Sequence, residues 1–367
     1  MNRMHGIIFA YDKCEKLQPL IEHRVAESIP FAARYRIIDF MLSNMVNAGV
    51  TDVDIVLQDK YQSILDHLGS GKDWDLSRKY GGLRLLPSAP KGDANRDFRG
   101  RMEALASVEK YVAEIRQEYV MLADGSLICN MPMGKILEEH IRSGADITCV
   151  CTPERVTDEE TTYLLDQDNT ITDVVGRGMI SGGYHAMEVY ILSKALLVQL
   201  IAECDGYNEY SFRRGVLQER KDQLKLHAYV FNGYAACMRS VADYYARSME
   251  LLNKDVRKEL FVAERPIRAK DRSDASTYYG PESRCKNSLI SDGCMIEGEV
   301  ENSIIFRGVH VAKGAKISGC ILMHDTVIRA GATVKYAVID KNVTILENRM
   351  LMGHSGYPLA ITKFSVV

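Results

Sequence analysis

The sequence lacks the features of a membrane-spanning, secreted or metal-cluster protein. No apolar stretch approaches the ~20 residues of a transmembrane helix, and the opening MNRMHGIIFAYD has only a short apolar run before charges begin. The nine cysteines include no C-x-x-C pair, which favours buried, reduced thiols over a metal site or a disulfide framework. A formal net charge of -3 gives no reason to expect nucleic acid or a membrane surface as a partner. These absences predict a soluble, cytoplasmic protein.

The first part of the chain has the alternating pattern of an α/β domain. At 367 residues the chain is too long for one small core, and we expect two domains, the first over residues 1–252. Strand and helix patterns alternate over residues 5–10, 36–48, 51–57, 118–123, 132–144 and 145–151. Such alternation predicts parallel strands with ligands at their carboxyl ends. The turns after Ala10, Leu57 and Ala123 are therefore expected to carry the chemistry.

The last part of the chain repeats with a different period. Val311, Ile328 and Ile345 lie 17 residues apart, as do Val300, Ile317 and Val334, and a third apolar series falls at 302–305, 319–322 and 336–339. Three interleaved series mean three short strands per turn, which predicts a hexapeptide-type β-helix over residues 285–367. The charged stretch 253–284 is predicted to be a connector.

Several segments carry a resemblance to a known family. They are IPFAARYRIIDFMLSNMVNAGV (29–50), GSGKDWDL (69–76), GGLRLLP (81–87), EYVMLADG (118–125), FNGYAACMRSVADYY (231–245) and KNSLISDGCMIEGEVENSIIFRGVHVAKGA (286–315). The chain resembles the bacterial glucose-1-phosphate adenylyltransferase (ADP-glucose pyrophosphorylase) family. The resemblance implies a nucleotidyltransferase (Rossmann-like) α/β domain with a mixed sheet, followed by a left-handed parallel β-helix. The family's reaction converts ATP and glucose 1-phosphate into ADP-glucose and pyrophosphate for glycogen synthesis, with magnesium neutralising the phosphates.

The phosphate-binding loop implied by this resemblance is altered. In the family it is rich in glycine and ends in Arg-Leu, so that backbone amides surround the triphosphate. Here Tyr11, Asp12 and Cys14 stand at glycine positions, where their side chains take up the space for phosphate. Lys16 replaces the arginine and loses its bidentate fork. We expect that this loop does not hold a nucleotide triphosphate.

The other catalytic positions of the family also differ. The lysine of K-P-A-V-P is matched by Ala26. The metal-binding aspartate of S-G-D-H aligns with Gly125, while Asp124 comes one position early, which normally points a side chain to the opposite face. The aspartate of G-Y-W-R-D-V-G-T aligns with Cys237, and a thiol is a poor magnesium ligand. We therefore expect no catalytic residue, metal or cofactor in this chain, and magnesium only in a catalytic partner.

Two groups of residues match the family's binding positions. Gln58 aligns with its adenine-contacting glutamine, although a glutamine at a strand end binds backbone equally well, and Gly100 opens the segment aligned with its adenine-side G-T-A. Arg101 and the two residues after it depart from that pattern and crowd it. The stretch that contacts a small anionic sugar-phosphate effector in the family is matched by His23, Arg24, Arg34 and Arg36. A solvated basic face or local ion pairs would explain these four residues equally well.

These observations predict a non-catalytic regulatory subunit of ADP-glucose pyrophosphorylase. It would form a heterotetramer with a catalytic homologue, as the degenerate subunit of Gram-positive bacteria does, and modulate that partner. One alternative is a weakly active adenylyltransferase in which Asp124 replaces the lost ligand. A second is an acyltransferase using His310 or His324 of the β-helix, and a third is a homotetrameric metabolite sensor acting alone.

Overall fold

The chain forms two compact units, each assembled from separate stretches of sequence. The computed structural model describes residues 3–11, 14–90, 92, 96–154, 156, 161–176 and 182–367. The first unit comprises residues 1–12, 40–236 and 263–267, and the second comprises 13–39, 237–262 and 268–367. The sequence had predicted one passage between domains, through 253–284, whereas the chain passes between the units several times. Within the described ranges, no helix has the length and apolar character needed to cross a membrane.

The first unit is built on a nine-stranded mixed sheet. The strand Met4–Ala10 is completely buried and lies parallel to Asp52–Leu57 on one side and Tyr119–Asp124 on the other. The carboxyl ends of these three strands therefore meet at one edge of the sheet. The strand Tyr184–Ser193 runs antiparallel to Tyr119–Asp124, which makes the sheet mixed. The other strands of the sheet are Gly82–Pro87, Ile147–Thr152, Thr162–Leu165, Ile171–Val175 and Leu226–Val230.

The helices begin and end where local signals place them. The pattern over 132–144 is confirmed as the helix Met133–Ser143, with Pro132 before it and Gly144 after it at φ 58°, the left-handed conformation that glycine adopts readily. The pattern over 36–48 is confirmed as Ile37–Asn47. The remaining helices are Gln62–Leu68, Arg101–Ser107, Glu109–Ala113, Lys194–Tyr207, Val241–Glu250 and Lys254–Leu260, with a π-helix at Phe212–Gln218 and 3-10 turns at Glu15–Leu17, Ala26–Ser28 and Lys72–Trp74. Short strands lie at Pro30–Phe31, Tyr35–Arg36, Leu127–Cys129 and Ala235–Cys237.

The second unit contains the left-handed β-helix, made of three parallel five-stranded sheets. The predicted series are confirmed by the pairing of Val311 with Ile328 and of Val300 with Ile317, all of them buried. The first sheet contains Tyr278–Tyr279, Met295–Ile296, His310–Val311, Val327–Ile328 and Thr344–Ile345; the second contains Arg284–Lys286, Glu299–Glu301, Lys316–Ser318, Thr333–Lys335 and Met350–Met352; the third contains Leu289–Ile290, Ile304–Ile305, Ile321–Leu322, Ala337–Ile339 and Leu359–Ile361.

The β-helix begins before the predicted boundary at residue 285. The strand Tyr278–Tyr279 pairs with Met295–Ile296, so the first strand falls inside the stretch predicted as a connector. Both tyrosines are about half exposed, at 52% and 49%. A strand in the first coil has a stacking neighbour on one side only, and this one lacks the buried apolar residue that marks the later coils. The hydrophobic pattern therefore missed it.

Candidate functional site

The residues predicted from the sequence are divided between the two units. The first unit holds Tyr11, Gln58, Gly100, Asp124 and Gly125, and the second holds Cys14, Lys16, His23, Arg24, Ala26, Arg34, Arg36 and Cys237. Asp12, the other predicted replacement in the phosphate loop, lies outside the described residues.

Aromatic rings fill the carboxyl end of the central strand in the first unit. The ring of Tyr11 packs edge-on against Phe9, with 6.0 Å between centroids, and against Phe98 at 5.1 Å. A glycine at position 11 would leave this volume open and its backbone amide accessible. The tyrosine side chain instead occupies the space beside the end of the strand.

Asp124, at the end of the neighbouring strand, is held by contacts on both carboxylate oxygens. Its Oδ1 accepts hydrogen bonds from the Ser126 amide at 2.8 Å and from the Ser126 hydroxyl at 2.7 Å. Its Oδ2 accepts a hydrogen bond from Nη2 of Arg101 at 3.3 Å. Gly125 has no side chain to offer, and its amide donates to the carbonyl of Phe9 at 2.9 Å. The carboxylate of Asp124 is therefore engaged within the unit.

Arg101 lies between two carboxylates and two aromatic rings. Besides Asp124, its Nη1 is 3.2 Å from Oε2 of Glu188 and donates to the Glu188 carbonyl at 3.1 Å. The guanidinium carbon lies 5.1 Å from the ring centroid of Phe9 and 5.8 Å from that of Tyr190. Burial opposes the charge, but the carboxylates of Glu188 and Asp124 outweigh it and raise the pKa of Arg101 above its usual value.

Gln58 and Gly100 have structural contacts of their own. The side chain of Gln58 donates to the Arg96 carbonyl at 2.7 Å and accepts from the Phe98 amide at 3.3 Å. Both contacts are with backbone atoms, as expected if Gln58 has a structural role and does not contact adenine. A Cβ atom at Gly100 would lie 2.2 Å from the carbonyl oxygen of Tyr210, so only glycine permits this close approach of two chain segments.

The segment around Gly100 is further held by ion pairs that the sequence did not reveal. Glu103 is 8% exposed, and its carboxylate accepts hydrogen bonds from Arg96 at 2.9 Å and from Arg99 at 2.7 Å. These hydrogen bonds, Arg96 first, lower the pKa of Glu103 to about 2. The guanidinium of Arg99 also lies 3.4 Å from the ring centroid of Tyr210. The segment that aligns with the family's adenine-side motif is therefore held by ion pairs and a cation–π contact within the first unit.

The residues present do not fit a magnesium ion. Magnesium requires several oxygen ligands in near-octahedral geometry. No group of three or more His, Cys, Asp and Glu side chains that could hold a metal occurs among the residues that the structure describes. In the first unit, Asp124 is bound by Ser126 and Arg101. In the second, Cys237 offers a thiol, a poor magnesium ligand, and is buried at the end of its strand.

The other positions predicted to replace catalytic residues of the family lie in the second unit. The thiol of Cys14 donates to the carbonyl of Arg239 at 2.6 Å. Lys16 is exposed in the turn Glu15–Leu17, and Ala26 is buried at the start of the turn Ala26–Ser28. Cys14 and Ala26 therefore contribute to local packing in this unit, while Lys16 faces solvent.

The four basic effector candidates have different environments. His23 and Arg34 are exposed, and Arg36 is half-buried. Arg24 is only 4% exposed and forms an ion pair with Asp340 of the β-helix, 316 residues away along the chain. Its Nε also donates to the Leu20 carbonyl at 2.8 Å. Arg24 thus forms a buried ion pair, whereas the side chain of Arg36 is half-buried.

Arg36 belongs to a concentration of positive charge in the second unit. We call Arg24, Arg36, Lys341 and Lys363 the basic cluster. Burial, then the charges of Arg36 and Arg24, lowers the pKa of Lys341 to about 6, although Asp340 partly offsets this. Burial and the neighbouring positive charges both disfavour the ammonium form of Lys341, and an anion bound beside it would favour that form. Lys341 and Lys363 lie in the last coil, more than 300 residues from Arg36 along the chain, so no local pattern predicts that Lys341 and Arg36 are neighbours.

His310 and His324 are the two β-helix histidines that the acyltransferase alternative would use. Burial, together with the charges of Lys341 and Arg36 among others, lowers the pKa of His324 to about 2, so this imidazole is neutral at physiological pH. Its Nδ1 is buried without a hydrogen-bond partner in the described part of the chain, as is Nε of Arg307. His310 lies 3.2 Å from Oε2 of Glu297. The Nε donor of Arg307 and the neutral imidazole of His324 therefore add polar groups near the basic cluster.

Comparisons with known proteins agree with the fold. Residues 5–171 match the model of the nucleotidyl transferase family, and residues 275–355 match that of the GlmU-like C-terminal hexapeptide family. The chain is 35% identical to the glycogen biosynthesis protein GlgD of Bacillus subtilis (strain 168), over 99% of this chain and 96% of that protein.

Two further relatives cover most of the chain. GlgD of Geobacillus stearothermophilus is 36% identical over 86% of this chain and 83% of its own length. A glucose-1-phosphate adenylyltransferase of Bacillus cereus (strain Q1) is 28% identical over 94% of both chains. With this near full-length similarity and the two-part fold, the chain belongs to the family of GlgD proteins and glucose-1-phosphate adenylyltransferases.

Proposed function

We propose that this chain is a non-catalytic regulatory subunit of ADP-glucose pyrophosphorylase in the cytoplasm, acting in glycogen biosynthesis with a catalytic homologue. The names of its GlgD relatives support the pathway. The absence of a catalytic role is supported by Tyr11 in the phosphate loop and by Arg101 on the carboxylate of Asp124. Magnesium would then belong to the catalytic partner.

The observation that carries the regulatory part of the proposal is the basic cluster. Arg36 and Lys341 lie close enough for each charge to oppose the other, and Asp340 is already paired with Arg24. A small dianion such as a sugar phosphate would relieve this repulsion and accept the fork-like hydrogen bonds of Arg36. Since Arg36 comes early in the chain and Lys341 from the last coil, a bound anion would join distant segments of the second unit.

Mixing this chain with its catalytic homologue is expected to give a mixed tetramer with higher activity or a tighter effector response. Linked binding of this kind typically changes affinity by ~5–150-fold. Arg36→Ala should reduce the effector response within that range while the tetramer stays intact, because it removes one anion contact. Size-exclusion chromatography with light scattering, run beside kinetics on the mixture, measures both effects.

Lys316→Ala, at an exposed position of the β-helix, is the matched control, and it should leave the effector response unchanged. Separate elution of the two chains, with unchanged kinetics of the homologue, would contradict the proposal. A homotetramer of this chain that still binds the effector would then support the stand-alone sensor.

Anion binding at the basic cluster is expected to weaken as pH rises. The pKa of Lys341 is about 6 in the free chain, and a bound anion stabilises the ammonium form. Above pH 6, binding must therefore take up a proton, and affinity should fall towards tenfold per pH unit. Calorimetric titration with sulfate, which does not itself titrate in this range, measures the slope between pH 6 and 8. His324 stays neutral throughout this window.

Lys341→Met should remove this slope and weaken sulfate binding at pH 6 at least tenfold. Lys316→Met, on an exposed face of the β-helix, is the control and should keep both the affinity and the slope. A pH-dependent affinity that persists in Lys341→Met would show that another group takes up the proton.

A further inference from the structure

We infer that Arg101 is a built-in cation that takes the place of a divalent metal ion in the first unit and keeps metal-bound nucleotide out of it. The inference deepens the proposed non-catalytic function and rests on it. The family would place magnesium at the carboxyl end of this sheet, and the residues there do not fit that ion. At this end of the sheet the guanidinium of Arg101 lies beside the carboxylates of Asp124 and Glu188.

The first argument is the geometry of charge. One guanidinium touches Asp124 at 3.3 Å and Glu188 at 3.2 Å, so two carboxylates share one protein-supplied cation. Carboxylates flanking a cation are the arrangement that a hard metal ion requires. A metal ion arriving with a nucleotide would meet a carboxylate already neutralised by Arg101, and the guanidinium would repel it.

The second argument is the backbone at Glu188. This residue has φ 55°, the left-handed region that a glutamate rarely adopts, and the pairing of its strand shifts register between Ala186 and Tyr190. Arg101 binds both the carbonyl and the carboxylate of Glu188. Such a conformation persists where surrounding contacts hold it in place. The irregular strand therefore presents Glu188 to Arg101.

The third argument is the fixed position of Arg101 itself. The residue before it, Gly100, approaches the Tyr210 carbonyl so closely that any larger residue would clash, and the amide of Met102 donates to the same carbonyl at 3.0 Å. The rings of Phe9 and Tyr190 flank the guanidinium. Anchored backbone on both sides and aromatic rings around the head group hold the cation in one place.

The test is a gain of metal binding when Arg101 is removed. Arg101→Thr, in the full chain, leaves Asp124 and Glu188 without their cation and opens space for an ion. We expect the variant to bind Mn²⁺, measured by electron paramagnetic resonance, at least tenfold more tightly than the unchanged chain. Saturating Mn²⁺ should also raise its Tm by about 5 °C, since a ligand that binds only the folded state stabilises it.

Three further variants make the gain specific. Arg101→Lys keeps a cation at the site and should show no gain, and adding Asp124→Asn to Arg101→Thr should abolish the gain. Arg99→Thr is the matched control, because Arg99 pairs with Glu103 and is more exposed. It should leave Mn²⁺ binding unchanged. If Arg101→Thr folds poorly, Mn²⁺ should restore its folding. Arg101→Met combined with Glu188→Gln should then fold without metal, because both charges of that ion pair are removed together.

The possible results separate this inference from the proposed function. Tight Mn²⁺ binding by the unchanged chain, or no gain in a folded Arg101→Thr variant, would overturn the role of Arg101 and leave regulatory assembly untouched. Loss of assembly with the catalytic homologue would overturn the proposed function whatever the Mn²⁺ results. A gain of Mn²⁺ binding without ADP-glucose synthesis supports both.

Discussion

Arg24→Ala is expected to lower the free energy of unfolding by about 3–5 kcal/mol, a large part of the stability of a typical domain. Arg24 and Asp340 are 4% and 1% exposed and pair within the second unit. Removing the guanidinium leaves a buried carboxylate without its counter-ion and the carbonyl of Leu20 without a donor. Urea denaturation at neutral pH, followed by a probe of the second unit, measures the loss.

The ion pair also predicts the effect of replacing both partners together. In a double-mutant cycle, Arg24→Met combined with Asp340→Leu should cost much less than the sum of the two single changes, because no charge remains buried. Arg34→Ala, at an exposed position in the same stretch, should change stability by less than about 0.5 kcal/mol. A loss below about 1 kcal/mol for Arg24→Ala would show that water reaches the Asp340 carboxylate.

Restoring the two lost metal ligands is expected to leave the chain nearly inactive. Enzymes commonly turn over at ~1–10³ per second. We expect Gly125→Asp combined with Cys237→Asp to stay at least ~1000-fold below this range, as should the unchanged chain. The ring of Tyr11 still packs against Phe98 at the end of the first strand, and Arg101 still pairs with Asp124. The assay is pyrophosphate release from ATP and glucose 1-phosphate with magnesium.

The catalytic homologue, assayed in parallel, provides the positive control. Turnover of ~1 per second by the unchanged chain would favour the weakly active adenylyltransferase. The same turnover by the double variant alone would show that the missing ligands, rather than the loop and Arg101, were the barrier. Adding Arg101→Thr to the double variant then tests the contribution of the built-in cation.

Local periodicity was enough to predict the repeating parts of the fold. Val300, Ile317 and Val334 recur at the spacing of one coil, and each strand pairs with its equivalent in the next coil. The helix Met133–Ser143 begins after a proline and ends before a glycine, both of which act within a few residues. Patterns of this kind are local, so the sequence reports them directly.

The contacts made by the predicted site residues depended on tertiary structure. Gln58 binds backbone about 40 residues away, Arg101 meets Glu188 across 87 residues, and Arg24 meets Asp340 across 316. The resemblance to the family predicts that Gly125 and Cys237 replace its metal-binding aspartates. It could not predict that Arg101 pairs with Asp124 and Glu188.

The sequence by itself determined the fold class and the repeats of the β-helix, because periodicity can be read along the chain, and it predicted the replacement of the family's catalytic residues from their identity. Tertiary structure decided where the two units divide, which basic residues are buried, and which cation neutralises Asp124. A charge acts through space on whatever the fold brings within a few ångströms, and its energy depends on how much water the fold excludes. The identity of a charged residue therefore does not reveal which groups surround it or how much water reaches it.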